Sequence, residues 1–469
     1  MHRLGIVTSL CTILFAARPA SADTILYATA ATPGRVDGFC VHRDGSVAPA
    51  AVVQVNTAGT EPRRLLVANG VLYVGERDRV EAYTIGPHGG LRFLDRTNVI
   101  SRPAMNVMDM AFSPDSKTLY VAQNGPDRIA AYPLDAMGTP AHDLTSCIQG
   151  RVNVAYRSLG VNNSLLYVSE QLAPGRIAVF PIDATGGLGE CKKCKGGSRA
   201  GQLCTTDDKN ATTGCPGATC PSCCSAARVC QGGSRVGQLC TVDGTNDVTN
   251  GCPLAACPGC CVAATAPISS RSRIQRPRSF QIIGDRIYVE EVETQQIKAF
   301  RLEADGLFPE PTPANKRNRP KYEPPGKGFV TAPVLSYVDL VHAGSALLAS
   351  QFEQGRIDAY RLIQPDGRLP RQPTRQTNTD VRTSPVRMTV ASRCIGGSND
   401  GLKCGLDVDC PQAKCVSVLY VATGEFDRVQ AFHLGESGIP EPTPFSETDE
   451  QTGSFPNDVA LATLSGGCM

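Results

Sequence analysis

Apolar and polar positions alternate along this chain in short bursts that recur seven times. The clearest burst is Leu419 to Leu434, LYVATGEFDRVQAFHL, where an apolar strand opens on Leu-Tyr-Val, a polar turn with glycine follows, and Arg428-Val429 starts a second alternating strand. β-Branched and aromatic residues at period two, broken by a Gly-bearing turn, predict a β-hairpin. The same text begins at Leu26, Leu72, Leu119, Leu166 and Ile287 and, worn down, at Leu347. The tyrosine position is held by Tyr27, Tyr73, Tyr120, Tyr167, Tyr288, Leu348 and Tyr420, at separations of 46, 47, 47, 121, 60 and 72 residues. Two long separations contain cysteine-rich blocks, 191–261 (71 residues) and 394–415 (22 residues), and without them both shrink to 50. A period of roughly 40–50 residues with about four strands each marks propeller blades.

An apolar segment precedes each later hairpin, at 63–68, 106–112, 152–158, 278–284, 335–341 and 386–392. The last such segment, 457–463, has no hairpin after it, and the first hairpin (26–41) has no such segment before it. Ring closure resolves both, because a strand from each end then completes one blade and no large edge stays open. The predicted fold is all-β, a seven-bladed β-propeller closed by N- and C-terminal strands, with two disulfide-rich insertions. Residues 23–190 carry blades one to four, 191–261 an insertion of two tandem cysteine units, and 262–393 blades five, six and the start of seven. A short insertion follows at 394–415, and 416–469 holds the rest of blade seven and the closing strand. The tandem units are expected on the connection after the outer strand of blade four. Proline gathers after the later hairpins (Pro309, Pro311, Pro370, Pro373, Pro440, Pro442); it cannot donate to a ladder, so these segments belong at the outer rim.

Residues 1–22 read as a secretory signal, with Arg3, an apolar run Leu4–Ala17, and Ala20-Ser21-Ala22 as a small-residue cleavage site. That run is too short to span a bilayer. Of 21 cysteines, Cys11 leaves with the signal, and sixteen of the other twenty fall in three related Gly-rich units. Cys-x-x-Cys pairs can hold zinc, but even numbers of Cys in core-poor segments of an exported chain favour disulfides. A net charge of +2 gives no electrostatic reason to expect nucleic acid or an anionic membrane.

The text is also recognisable. SPDSKTLYVAQNGPDRIAAYPLDAMG (113–138) resembles the repeat of the YVTN-type, lactonase-like (6-phosphogluconolactonase-like) seven-bladed propeller family, and the likeness covers nearly all of 23–469 outside the cysteine blocks. The resemblance implies the fold, and it implies activity less narrowly. The family includes 6-phosphogluconolactonases, muconate-lactone enzymes and many surface or binding proteins.

Aligned hairpins carry two polar rings: Glu76, Gln123, Glu170, Glu291 and Gln351 three positions after the tyrosine, and Arg35, Arg79, Arg128, Arg176, Arg356 and Arg428 opening the third strand. Features repeated in most blades are expected to be structural, with Glu76–Arg79 and Glu170–Arg176 pinning their turns. Function is sought where blades differ, at the opening residues of the first strands, which line one mouth of the central channel. These are Arg63, Arg64, Asn106, Asp109, Asn153, Arg157, Arg278, Tyr337, Asp339, Arg387, Asn457 and Asp458. Such a funnel suits a small anionic molecule, with Asp109, Asp339 or Asp458 as general base and Arg64, Arg278 or Arg387 as anion clamps. The alternative is that these groups satisfy one another along the axis. No histidine opens a first strand, and no nucleophile elbow, metal-binding helix motif or phosphate loop is present. The sequence therefore predicts an exported, monomeric binding or interaction module for a small anion or an extracellular protein or glycan, with no cofactor, no metal and no membrane insertion. Lactone ring opening at the channel mouth is the alternative.

Overall fold

The computed structural model describes the chain from Thr24 to Cys468, apart from short connections, 309–336, and most of 189–268 and 396–413. The expected signal segment lies outside the described residues. Seven antiparallel sheets form the blades, and no α-helix occurs among the described residues. Blade one is built from Val53–Asn56, Arg35–Val41, Thr24–Ala30 and Val459–Thr463, in that order across the sheet. The closing strand pairs Thr24 with Thr463 and Ala28 with Val459. Disulfide Cys40–Cys468 ties the tail of that strand to its own blade across 428 residues of sequence. Tail and ring therefore close together, as the sequence predicts.

The inner strands of the other blades begin at Arg64, Asn106, Tyr156, Pro277, Tyr337 and Pro385. Blade five shows three strands among the described residues. The short cysteine unit sits at the tip of a lengthened hairpin, Pro385–Ile395 with Lys414–Thr423, closed by Cys394–Cys410 and Cys404–Cys415. One connection differs from the sequence expectation. The outer strand of blade four is Ser269–Ser272, paired with Arg176–Pro181, so the tandem units interrupt blade four before its last strand rather than after it. The four-residue SSRS strand has no apolar alternation to announce it.

The core lies between blades. Seven apolar clusters fill the seven junctions, each shared by two neighbouring sheets. Both faces of a second strand are thus covered, which explains why LYV-type segments read as unbroken apolar runs. Tyrosine faces the following blade and its neighbours on either side face the preceding one. Each buried hydroxyl donates to a glycine carbonyl in the outer hairpin of the next blade: Tyr27 to Gly89 at 2.7 Å, Tyr73 to Gly138 at 2.6 Å, Tyr120 to Gly186 at 2.7 Å and Tyr420 to Gly45 at 3.0 Å. Tyr167 and Tyr288 reach Gly306 and Gly367 in the same way. All six glycines hold positive φ, a conformation that side chains disfavour. Blade six has Leu348 instead; there Ser345 donates its amide and hydroxyl to Ser437 beside Gly438, at 3.2 and 3.1 Å.

Removing one such hydroxyl leaves a buried carbonyl unsatisfied. Tyr120→Phe is expected to lower unfolding stability by about 1–3 kcal/mol, measured as a shifted urea midpoint with an unchanged slope.

Candidate functional site

The inner strands converge at one mouth of the channel, and the backbone there departs from ideal pairing. Register shifts interrupt five of them, between Val107 and Asp109, Tyr156 and Leu159, Pro277 and Phe280, Tyr337 and Asp339, and Pro385 and Arg387. Bulges of this kind re-aim side chains and recur beside functional sites. Glu61, Arg276, Ser384 and Phe455, just ahead of four inner strands, hold left-handed φ values of 54°, 50°, 27° and 38°. Non-glycine residues seldom adopt that region.

Amides freed by the bulges need acceptors. Ser169 Oγ accepts the Ser158 amide at 2.8 Å, Ser350 Oγ that of Asp339 at 3.0 Å, and Thr29 Oγ1 those of Asn457 and Asp458 at 2.9 and 3.0 Å. These acceptors occupy the position two residues after the tyrosine. In blade five that position is Glu290, facing the Ser279 amide. Glu290 is fully buried, and neither carboxylate oxygen has a well-formed hydrogen bond among the described residues. Burial pushes its pKa up to about 8, against the pull of Arg278, Arg387 and the Ser279 amide. Burial thus favours its protonated form.

The three aspartates act between blades. One oxygen of each accepts an amide from the next inner strand: Asp458 from Leu65 at 2.8 Å, Asp109 from Leu159 at 2.8 Å, and Asp339 from Met388 at 3.0 Å. Arg64 joins Asp109 and Asp458, at 3.1 Å from the latter. Burial opposes the Arg64 charge, but Asp109, Asp458 and Asp339 outweigh it and hold its pKa above the ordinary value. Arg387 meets Asp339 at 2.9 Å. Burial raises Asp458 despite Arg64. Arg63 leans outward to Glu61 at 2.6 Å. Asn106 and Asn457 are half-buried on the mouth, and the Asn106 Oδ1 has no partner among the described residues. Asn153 and the side chain of Tyr337 lie outside the described residues.

The other side of the mouth is cation-rich. Arg157 rests on two neutral groups, the Gln171 Oε1 and the Met108 Sδ at 3.8 Å. Burial lowers its pKa first, and the like charges of Arg278, Arg276 and Arg63 lower it further. Arg278 is lowered chiefly by burial too. A guanidinium held as Arg157 is, half-desolvated and resting on neutral groups beside other arginines, can take an anion. Sequence reasoning named Arg157 and Arg278 but missed Glu290. Its signal was a glutamate at a second-strand position where other copies carry Gly75, Ala122, Ser169, Ser350 or Ala422.

Farther out, Arg176 grips Glu170 with two bonds, one at 2.9 Å, as expected. Arg79 bonds Asp78 at 2.7 and 3.0 Å and also pairs, more loosely, with Glu76 at 3.8 Å.

Ring and closure together define a seven-bladed β-propeller. The chain is similar in fold to the Pseudomonas aeruginosa periplasmic gluconolactonase, with a TM-score of 0.56, 13% identity, and coverage of 94% of this chain and 100% of that one. A putative 6-phosphogluconolactonase from Bacteroides fragilis gives a TM-score of 0.54 at 13% identity over 95% and 99%. A Lactobacillus plantarum protein gives 0.54 at 13% over 94% and 99%. No protein-family profile and no curated protein matches the chain.

A buried acid with a raised pKa favours the fold where it is neutral in both states. That benefit fades as pH climbs from its unfolded value towards about 8, because only the unfolded chain ionises freely. Glu290→Gln is thus expected to raise the unfolding midpoint at about pH 9 and to change it little at about pH 4, read by thermal melts across that range.

Proposed function

We propose that this chain is an exported lactone hydrolase whose site is the arginine-lined mouth of the central channel. The observation that carries the reading is Arg157, whose hydrogen-bond partners are neutral and whose charged neighbours are arginines. Ring opening of a lactone needs a group to take a proton from water and donors for the developing oxyanion, and it ends in a carboxylate. In this reading Arg278 faces the oxyanion, and Arg157 holds the carboxylate that forms. Ionised Glu290 draws the proton from the attacking water, with water reaching it past the half-buried Arg278. As the ring C–O bond breaks, that proton passes to the departing alkoxide. Asp109, Asp339 and Asp458, the bases expected from sequence, already receive interblade amides, and in this reading they hold the strands that carry the arginines. The similarity in fold to a gluconolactonase and a putative 6-phosphogluconolactonase supports the reaction class. Disulfides fit an oxidising compartment outside the cytoplasm.

Aldonolactones of five- and six-membered rings supply the test, with spontaneous opening subtracted. Hydrolysis is expected to rise with pH through about 8. Glu290→Gln should lower kcat by about 10²–10⁴-fold and Arg157→Leu should abolish inhibition by the product. Catalysis surviving both changes would sink the proposal. Aldonate binding that depends on Arg157, without any lactone opening, would return the chain to a binding module.

A further inference from the structure

A cavity lies away from the axis, between blades six and seven, with a volume of about 260 Å³. Ile357, Pro385, Val421 and Phe432 form its buried floor, and Arg356, Arg428 and Glu447 stand among the groups at its rim. None of Arg64, Arg157, Arg278, Arg387 or Glu290 lines it.

The sequence explains why space opens here. Three positions after the tyrosine, blades two to six place Glu76, Gln123, Glu170, Glu291 and Gln351, all buried at the junction with the blade before. Glu76 lies directly against Gly59 of blade one. Blade seven has Thr423 at that position, on the same strand face as Val421, and its hydroxyl turns back to the Arg428 carbonyl at 2.9 Å. Blade one has Ala30, but that junction is spanned by Asp427, which accepts the Phe455 amide at 2.6 Å. A side chain two heavy atoms smaller than glutamine therefore leaves the junction of blades six and seven less filled. Arg428 meets Glu447 at 2.9 Å, in a pair whose side chains are 31% and 42% exposed. An exposed pair of this kind is weak and yields to a competing carboxylate.

We propose that this cleft is a second binding site, taking a small ring that bears one carboxylate, its ring on Val421 and Phe432 and its carboxylate on Arg428 in place of Glu447. Apolar floors with a few convergent polar groups are the usual make-up of small-molecule sites, and this volume sits just under their common range of about 300–1,000 Å³, which limits the occupant to one ring. Arg356, paired with Asp358 at 3.2 Å, stands on the opposite wall.

Benzoate is the probe and benzamide its uncharged counterpart, with binding to the full chain followed by ligand-observed NMR. Benzoate is expected to bind, benzamide about tenfold more weakly or worse, and Arg428→Gln to lose about tenfold for benzoate alone. Thr423→Gln rebuilds the side chain used by blades three and six, so it should fill the cleft and abolish binding while the fold melts as before. Each comparison is made in an Arg157→Leu background, which removes the carboxylate holder at the channel mouth and should leave benzoate binding here unchanged. Benzoate that fails to bind, binds no better than benzamide, persists in a folded Thr423→Gln chain, or is lost with Arg157 would overturn the proposal. Should Thr423→Gln not fold, the Arg428→Gln comparison decides alone.

Discussion

A tyrosine hydroxyl reaching across to a glycine carbonyl of the following blade is the contact on which the ring depends. Apolar packing between sheets is strong but indifferent to small slips, since Leu, Val and Ala side chains slide over one another at little cost. A directed hydrogen bond buried among them is not indifferent, because a slipped register would leave both partners without water or protein. Repeated around the circle from Tyr27 to Tyr420, it fixes how far each wedge lies from the next. The last wedge then meets the first, and the closing strand Val459–Thr463 finds its place beside Thr24–Ala30. Burial raises these phenols, with Tyr288 and Tyr420 pushed up to about 12, so they remain donors throughout the physiological range.

A ring of equal wedges must also fill its axis, and here the blades stop being equal. Asp458, Asp109 and Asp339 each cross one junction to an inner-strand amide, and Arg64 and Arg387 neutralise them. This half of the mouth is satisfied from within. Around Arg157 and Arg278 the balance is different, because Arg157 rests on neutral groups and burial raises the pKa of Glu290, the acid beside Arg278. Stability alone would favour a serine there, as in blades four and six, where Ser169 and Ser350 cap the bulge amide with no charge to desolvate. A chain that keeps a glutamate at such a position accepts a cost in stability, and local costs of this kind cluster at sites of function.

Much of the fold could be read from the text of the chain. The hairpin period, the cysteine interruptions and the unmatched segment at 457–463 together imply a closed ring of seven. Period two and apolar burial act over a few residues, so they survive in a single sequence. The outer strand of blade four escaped because Ser269–Ser272 is polar and pairs with its blade only after a long excursion. At the site, the mouth residues were legible as a set, since every inner strand opens at the same end. Their pairing was not. Which aspartate meets Arg64, and that Arg157 meets none, depends on bulges that shift register by one residue. Glu290 was hidden for a related reason: it follows an apolar strand and precedes another glutamate, and only the bulge opposite shows that it faces inward.

The protonation of Glu290 tests the account most directly. Carbon-13 labelling of glutamate side-chain carboxyls, with Glu290→Gln to assign the signal, follows that single group through a pH titration by NMR. A neutral acid at pH near 7 that ionises around 8 is the predicted result. A carboxylate already ionised across the neutral range, titrating near the ordinary glutamate value of about 4.3, would contradict it. The Arg278 side of the mouth would then be neutralised from within, like the rest of the axis.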